Sequence, residues 1–276
     1  MRIDAHQHFW KYSPVRHTWI NDDMKVLKRD FLPTDLVPLM QRSGFDGCVA
    51  VQADQSEGEN DFLLDLAGKN SFIKGVVGWV DFRADNAGER LAYYAGFEKM
   101  KGMRHVVQDE PDDLFLLGDD FLRGIGKLQK YNLTYDVLIY HRHLKVAEQF
   151  VGKFPDQPFV LDHIAKPDIK GQVYEPWAAD MKKIAQHENL MCKVSGMVTE
   201  AAWGNWKPGD YKKYLDCVFE AFGVDRIMIG SDWPVCLLSA TYEGAVRIVK
   251  DYIAALSETE QDKVMGGNAE KFYGLT

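Results

Sequence analysis

The chain has 276 residues, with 33 Lys and Arg against 41 Asp and Glu, so its formal net charge is −8. Hydrophobic residues make up 46% and charged residues 27%, which is the composition of an ordinary globular protein rather than a disordered one. The acidic balance excludes nucleic acid and anionic membranes as main partners, because both bind a net basic surface. No apolar run approaches the roughly 18 residues that a membrane-spanning helix needs.

The N-terminal sequence and the cysteines both indicate the expected cellular compartment. MRIDAHQHFW lacks the apolar core of a secretory signal, so we expect a cytoplasmic protein. We expect the cysteines to be reduced, with neither a disulfide nor a thiolate zinc site, because they form no CxxC pair. The four are Cys48, Cys192, Cys217 and Cys236. For the oligomeric state we expect a monomer or a homodimer.

Short runs rich in Val and Ile recur along the chain, and each is followed by polar residues and then by a helical pattern. Runs that are apolar on both sides are typical of parallel strands covered on both faces. We therefore predict eight strands, at 2–6, 48–53, 73–80, 101–107, 133–140, 159–164, 190–196 and 226–232.

The segments between these runs are predicted to be helices, several of which carry apolar residues at i, i+3 and i+4. The segment 34–44 begins with Thr34 and Asp35 and ends at Gly44, which are typical start and stop signals. The other clear helical patterns lie at 119–131, 143–154, 211–223, 240–257 and 257–274.

Eight strands alternating with helices over a chain of this length predict a single-domain (β/α)8 TIM-like barrel over residues 1–276. A doubly wound open sheet is the alternative fold, although no GxGxxG motif follows a strand. No linker rich in Pro, Gly or Ser divides the chain. Residues 9–33 are predicted to form a long first βα-loop, whose length and aromatic content favour a functional role.

The active site of such a barrel lies at the C-terminal ends of its strands, so polar residues there are the candidates. His6 and His8 end the first strand and point to the same side by alternation, as two imidazoles on one metal or one oxyanion would. Asp232 ends the last strand, where a carboxylate can take a proton from water. The other candidates at strand ends are Gln52, Arg104, His105, Asp162, His163, Lys166, Lys193 and Ser195.

A structural role is an open alternative for several of these residues. Arg104 and Asp162 can form an ion pair that serves only the fold. Lys193 can line the barrel floor and neutralise a carboxylate. His163 can be a core histidine, and Asp232 can cap the next helix.

Six ordered motifs together point to a known family. They are IDAHQHFW, KGMRH, LDHIAKP, KVSGM, IGSDWPV and GNAEKFYG, and they run from residue 3 to about residue 274. The chain resembles the amidohydrolase-2 family of the amidohydrolase superfamily. Within it, the likeness is greatest to the sugar-lactone hydrolases of the L-fuconolactonase and L-rhamnono-lactonase group. The resemblance covers essentially the whole chain and implies a (β/α)8 hydrolase.

The resemblance also implies which residues carry the chemistry. The superfamily's catalytic positions fall on His6, His8, His163 and Asp232, which hold one or two divalent ions in metal-dependent members. Arg104 and its neighbour stand where binuclear members have a bridging Lys or Glu, which argues against two ions. Related lactonases work without a required metal, so no cofactor is expected to be required. If one zinc is bound, its ligands are expected to be the same three histidines and Asp232.

One further departure concerns the loop after the sixth strand. Ala165 stands where the family motif commonly has Gly, so the shape of that loop is not given by the resemblance.

The reaction implied is hydrolysis of a sugar-derived lactone to its aldonic acid. Water attacks the lactone carbonyl while Asp232 accepts its proton, and the three histidines with Arg104 stabilise the oxyanion. The leaving ring oxygen then takes a proton from Asp232. His141 is open between a site residue and an exposed loop residue. The predicted substrate contacts are Gln52, Lys166, Trp233, Trp10, Trp19 and His141.

Two other functions are alternatives. A zinc-dependent decarboxylase, or another hydrolase of the superfamily, shares the same histidines and aspartate but needs its metal. A non-catalytic sugar-acid binder shares the barrel, yet it has no need of a base such as Asp232. In every case the expected partner is a small molecule. The sequence predicts neither the sugar nor the ring size.

Overall fold

The computed structural model describes residues 1–276 and contains one sheet of eight parallel strands, hydrogen-bonded in the order β1 to β8. Each strand begins within two residues of its predicted start. The strands are β1 (Ile3–Gln7), β2 (Gly47–Val51), β3 (Ile73–Gly78), β4 (Met100–Val106), β5 (Thr134–Leu138), β6 (Phe159–Leu161), β7 (Leu190–Val194) and β8 (Ile227–Ile229).

Ten α-helices accompany the strands. The four predicted at 34–44, 143–154, 211–223 and 240–257 are present with slightly different ends, while two predicted helices are divided. The helices are α1 (Pro33–Arg42), α2 (Glu57–Lys69), α3 (Ala87–Ala95), α4 (Asp119–Ile125), α5 (Leu144–Gly152), α6 (Trp177–Ile184), α7 (Gly209–Phe222), α8 (Tyr242–Ile253), α9 (Glu258–Asp262) and α10 (Asn268–Tyr273).

The two divided helices have local physical causes. Residues 119–131 form α4 and then a separate 3-10 turn, Gln129–Tyr131, which ends at Asn132 in the left-handed region with φ 53°. Residues 257–274 are interrupted at Gly266. A Cβ at Gly266 would lie 2.1 Å from the carbonyl oxygen of Met1, so the backbone there approaches the start of the chain.

The barrel closes where β8 returns to β1. The His8 N–H donates to the Trp233 carbonyl at 2.7 Å, and the Asp232 N–H donates to the His6 carbonyl at 2.8 Å. The Asp4 carboxylate adds to this seam, because it accepts from the Ser231 N–H at 2.8 Å. The predicted (β/α)8 barrel is confirmed, and the open-sheet alternative is wrong, since an open sheet leaves its two edge strands apart.

A small apolar cluster fills the lower interior of the barrel. It contains residues of five strands and residues near the C-terminus. Two of these strands, β2 and β6, lie on opposite sides of the barrel, so their side chains can contact each other only in its interior. Its members are Ile3, Ala5, Val49, Val51, Val77, Val160, Met228, Ala269, Tyr273 and Leu275. A larger cluster of 67 buried residues packs the helices onto the outer face of the strands.

The chain between β1 and α1 is folded back on itself. Trp10 and Phe31 pair as an isolated antiparallel bridge, and a 3-10 helix, Asp22–Leu27, lies between them. All four cysteines are buried, and none is paired with another. None of the helices has the length and apolar character required to cross a lipid bilayer.

Candidate active site

Three imidazoles converge on one carboxylate at the C-terminal end of the barrel. The Asp232 Oδ1 atom lies 3.4 Å from His8 Nε2 and 3.9 Å from both His6 Nε2 and His163 Nε2. The two histidines of β1 approach each other to 3.3 Å between their Nε2 atoms. All four side chains are at least 94% buried. The structure therefore brings together the four residues that the sequence analysis placed first.

The position of His163 depends on an unusual turn after β6. Four consecutive residues without glycine have positive φ: His163 (54°), Ile164 (49°), Ala165 (57°) and Lys166 (48°). This conformation is costly for side chains with a Cβ, above all for a branched one such as Ile164. The strained turn lies where His163 and Lys166 enter the site, and it includes Ala165, where the family motif commonly has Gly.

A second set of charges lies beneath the imidazoles. Arg104 Nη1 contacts Asp162 Oδ2 at 3.1 Å and His6 Nε2 at 3.3 Å. Lys193 Nζ lies 2.5 Å from Asp136 Oδ2, 3.1 Å from Asp162 Oδ1 and 3.2 Å from His6 Nδ1. The Arg104–Asp162 ion pair and the neutralising Lys193, both raised as structural alternatives, are thus present. Both also contact His6.

Gln52 forms hydrogen bonds with Arg104, a member of this set of charges. It is fully buried, its amide donates to the Arg104 carbonyl at 3.2 Å, and its own carbonyl accepts from Arg104 Nη2. The structure therefore places Gln52 as a support for the guanidinium, and its contact with substrate stays a prediction.

Each histidine is oriented through its Nδ1 atom. His8 Nδ1 lies 2.7 Å from the Val51 carbonyl, which can only accept, so His8 carries its proton on Nδ1 and a lone pair on Nε2. His163 Nδ1 lies 2.8 Å from the Ser195 hydroxyl. His6 Nδ1 lies 3.3 Å from Asp162 Oδ1 as well as beside Lys193. All three Nε2 atoms consequently point to the same place.

Burial keeps the imidazoles of His6 and His163 neutral, and neighbouring groups keep Asp232 ionised. Burial lowers the pKa of His163 to about 4, although Asp232 opposes the shift. Burial, reinforced by Lys193, lowers the pKa of His6 well below its usual range. Burial alone would raise the pKa of Asp232, but the neighbouring His163, His8 and Lys166 outweigh it and lower that pKa. A carboxylate in this state can accept a proton at neutral pH.

Two of the aromatic residues predicted to contact substrate, Trp10 and Trp233, are buried among other aromatic rings. Trp10 is fully buried, donates through Nε1 to the Arg29 carbonyl at 2.9 Å and packs edge-on against Phe31. Trp233 is 1% exposed and packs between Phe9 and Phe31. Both rings pack against aromatic residues of the first loop, and their expected sugar contacts stay predictions.

Trp19 packs against another tryptophan, and His105 contacts a neighbouring glutamate. Trp19 is half-buried and packs edge-on against Trp10, while its indole N–H has no hydrogen-bond partner. His105 points away from the imidazole cluster, since its Nε2 lies 2.6 Å from Glu110 and its ring stacks on Phe115.

Lys166, His141 and a residue that the sequence analysis missed line the β5–β7 side of the site. His141 Nδ1 donates to the Lys166 carbonyl at 2.9 Å, so His141 is a site-proximal residue rather than a free surface residue. Glu200, beyond β7, is half-buried, and its carboxyl feels the charges of Lys166, Asp232 and His141. No periodicity or motif in the sequence singles out Glu200, because it lies in a loop whose course depends on the barrel.

His6, His8 and Asp232 lie close enough together to hold one metal ion, since their ligand atoms are all within 4.8 Å of one another. The separations of 3.3 Å between the two Nε2 atoms and 3.4 Å between His8 Nε2 and Asp232 Oδ1 are near the ~3.3 Å spacing of tetrahedral ligands around zinc, and His163 Nε2 lies 3.9 Å from the same oxygen. In His8 a backbone carbonyl lies beside Nδ1, the usual arrangement that leaves Nε2 free to ligate. A second group of possible ligands, His6, Asp162 and His163, lies next to the first, with Arg104 Nη1 3.3 Å from His6 Nε2 and 3.1 Å from Asp162 Oδ2.

The family follows from comparison with known sequences. The sequence model of the family described as amidohydrolase matches residues 3–275. The chain belongs to this amidohydrolase family. The predicted resemblance is thereby confirmed over nearly the whole chain.

Two curated relatives from Burkholderia carry the same name. The chain is 40% identical over 286 residues to an L-fucono-1,5-lactonase of Burkholderia multivorans, covering 100% of this chain and 96% of the relative. It is 35% identical over 291 residues to an L-fucono-1,5-lactonase of Burkholderia ambifaria, covering 99% and 96%.

A solved amidohydrolase of Burkholderia multivorans, described with bound zinc, superposes with a TM-score of 0.94 at 39% identity, and each chain is covered completely. More distant structures include a 5-carboxyvanillate decarboxylase of Sphingomonas paucimobilis. It has 15% identity, a TM-score of 0.65 and 99% coverage of both chains, which shows the shared barrel alone.

Proposed function

We propose that this protein hydrolyses a sugar-derived lactone, of the L-fucono-1,5-lactone or L-rhamnonolactone type, to its aldonic acid. The observation that carries the proposal is the convergence of His6, His8 and His163 on the ionised Asp232 in a chain 40% identical to an L-fucono-1,5-lactonase. The decarboxylase alternative is not favoured, because the decarboxylases among the similar structures share only the barrel with this chain.

Asp232 is proposed to activate the water. It takes one proton as the water oxygen adds to the lactone carbonyl carbon. A carboxylate with a lowered pKa is fully ionised at neutral pH and so is ready to accept this proton. His8 Nε2, which has a lone pair 3.4 Å from Asp232 Oδ1, accepts the second hydrogen bond of the water and orients it.

His163 and Arg104 are proposed to stabilise the oxyanion. With the Ser195 hydroxyl donating to Nδ1, His163 carries its proton on Nε2 and presents it to the site. Arg104 brings a fixed positive charge to within 3.3 Å of His6 Nε2. A well-placed donor of this kind contributes roughly 3–4 kcal/mol to the barrier reduction.

Collapse of the tetrahedral intermediate breaks the bond between the carbonyl carbon and the ring oxygen. The ring oxygen takes the proton that Asp232 had accepted, which regenerates the carboxylate and leaves a hydroxy acid that ionises at neutral pH. Lys166, whose charge acts on Asp232, attracts the new carboxylate. One residue therefore acts first as base and then as acid, and atoms and charge balance.

A single zinc ion, held by His6, His8, His163 and Asp232, would supply Lewis acidity to the carbonyl when bound. We propose that the reaction does not require it, because Arg104 already places a positive charge beside His6 and a lactone ester has a reasonable leaving group.

The test is acid release from a panel of aldonolactones that includes L-fucono-1,5-lactone, followed with a pH indicator before and after chelation. We expect turnover of at least one lactone and less than about two-fold loss after chelation. Loss of turnover with the metal would keep the lactonase and contradict the metal-free mechanism. A folded protein that opens no lactone would overturn the proposed function and direct assays to decarboxylation.

A further inference from the structure

Two half-buried side chains of opposite charge, Lys166 and Glu200, face the site without forming an ion pair. Lys166 follows β6 and Glu200 follows β7, and the two loops are joined by the Lys170 N–H, which donates to the Glu200 carbonyl at 2.9 Å. The Lys166 ammonium lies 5.5 Å from the centre of the Tyr140 ring, and the one polar contact of the Glu200 carboxylate is with the Thr199 hydroxyl at 3.5 Å.

Both charges act on the space around Asp232. Lys166 is among the groups that hold down the pKa of Asp232. Burial raises the pKa of Glu200, Asp232 adds to that rise, and Lys166 and His141 oppose it. Glu200 and Lys166 therefore share the mouth of the barrel with the proposed base.

Backbone contacts, rather than mutual attraction, hold these residues in place. The Lys166 N–H donates to the His163 carbonyl at 2.9 Å within the strained left-handed turn, and the Lys166 carbonyl accepts from His141. The Glu200 backbone is held by Lys170. Since their positions do not require pairing with each other, the ammonium and the carboxylate are free to bind a ligand.

A separated cation and anion suit a polyhydroxylated ring. Each hydroxyl both donates and accepts hydrogen bonds, and one carboxylate can accept from two neighbouring hydroxyls. An unsubstituted ring offers no hydroxyl to either group. A site built to hydrogen-bond a substrate hydroxyl discriminates strongly against analogues that lack it.

We propose that Glu200, acting with Lys166, binds the ring hydroxyls of the lactone and determines specificity for a vicinal diol. The inference rests on the proposed lactonase function and goes beyond it, since it assigns the part of the site that selects the substrate. Glu200 accepts hydrogen bonds from two adjacent hydroxyls, and Lys166 donates to one of them. Neither residue takes part in the proton transfers assigned to Asp232.

The experiment compares two lactones and three variants. The substrates are L-fucono-1,5-lactone and δ-valerolactone, which has a six-membered ring and no hydroxyl. Glu200→Ala removes both acceptor oxygens, and Glu200→Gln removes the charge while keeping the size. Glu148→Ala is the matched control, because Glu148 is also a half-buried glutamate beside a lysine and a histidine, Lys183 and His187, but lies on α5.

We expect Glu200→Ala to lower kcat/KM for L-fucono-1,5-lactone by at least about 10-fold, mainly through KM, because hydrogen bonds to a charged group are lost. We expect kcat/KM for δ-valerolactone to change by less than about two-fold. Glu200→Gln should fall between wild type and Glu200→Ala, and Glu148→Ala should match wild type on both lactones.

Inhibition by the products gives the same comparison without turnover. We expect the inhibition constant of L-fuconate to rise in Glu200→Ala while that of 5-hydroxypentanoate stays unchanged. An equal loss for hydroxylated and unsubstituted compounds, or no loss for either, would overturn the role of Glu200. A wild-type protein that opens no lactone would instead overturn the proposed function, so the two failures are distinguishable.

Discussion

Gly196 lies directly against the imidazole of His163. A Cβ added to Gly196 would be 2.6 Å from His163 Nδ1, and the glycine has φ +63°, which side chains with a Cβ rarely adopt. The close approach lets His163 Nδ1 reach the Ser195 hydroxyl next to Gly196 at 2.8 Å. The glycine of the KVSGM motif thus makes room for a histidine that comes from a different strand.

Gly196→Ala should therefore displace His163 and lower kcat/KM by at least about 10-fold, since an error of about 1 Å at a reacting centre costs up to 100-fold. Gly204→Ala is the matched control, because Gly204 has φ +69° but nothing within 4 Å of its added Cβ. Both variants carry the same backbone cost, which thermal unfolding will measure. Equal activity in the two variants would show that the position of His163 does not matter.

Asp232→Asn should lower kcat by about 10²- to 10⁴-fold with the fold intact, because it removes the proposed base and keeps its size. The pH-indicator assay measures the rate, and circular dichroism checks the fold. Asp216→Asn, on the outer face of α7 beside Lys212, serves as a control that should keep full activity. A near-normal rate in Asp232→Asn would remove Asp232 from the mechanism.

The pH profile of kcat/KM should be flat from about pH 7 to about pH 5. The proposed base must be ionised and His163 neutral, and the pKa values of both groups are lowered, that of Asp232 below 3.8 and that of His163 to about 4. Activity should therefore fall only when the pH drops to about 4. A half-maximal rate near pH 6.5 would indicate an ordinary histidine as the base.

Glu59 should make the protein less stable as the pH rises. It is 1% exposed, and burial raises the pKa of its carboxyl from 4.5 to about 7. The folded state therefore holds a proton that the unfolded state has lost between these values, so stability falls from about pH 4.5 to about pH 7 and is level above.

Glu59→Gln should remove this dependence and stabilise the protein at pH 8 by up to about 3 kcal/mol, with little effect at pH 4.5. Its amide oxygen can still accept from the Ala53 N–H, which donates to Glu59 at 3.1 Å. Urea unfolding at both pH values is the measurement, and the exposed Glu258→Gln is the control. An equal shift at both pH values would contradict the assignment.

The sequence by itself predicted the barrel and the residues proposed to carry the chemistry. Eight apolar runs at regular spacing predict eight buried strands. A strand covered on both faces needs apolar residues at neighbouring positions, and these are visible in the sequence itself. His6, His8, His163 and Asp232 could be proposed because each lies within three residues of the end of a strand, and in a parallel barrel all strand ends meet at one face.

Only the tertiary structure decided which way the other side chains point. Trp10, Trp233 and Gln52 follow strand ends as well, yet their side chains turn into packing or onto Arg104. Glu200 reaches the site from a loop that no pattern marks. The physical reason is that sequence periodicity shows which residues of one segment are buried, but not which residues of other segments they contact. Lys193 and His6 are 187 positions apart and come into contact only when the barrel closes.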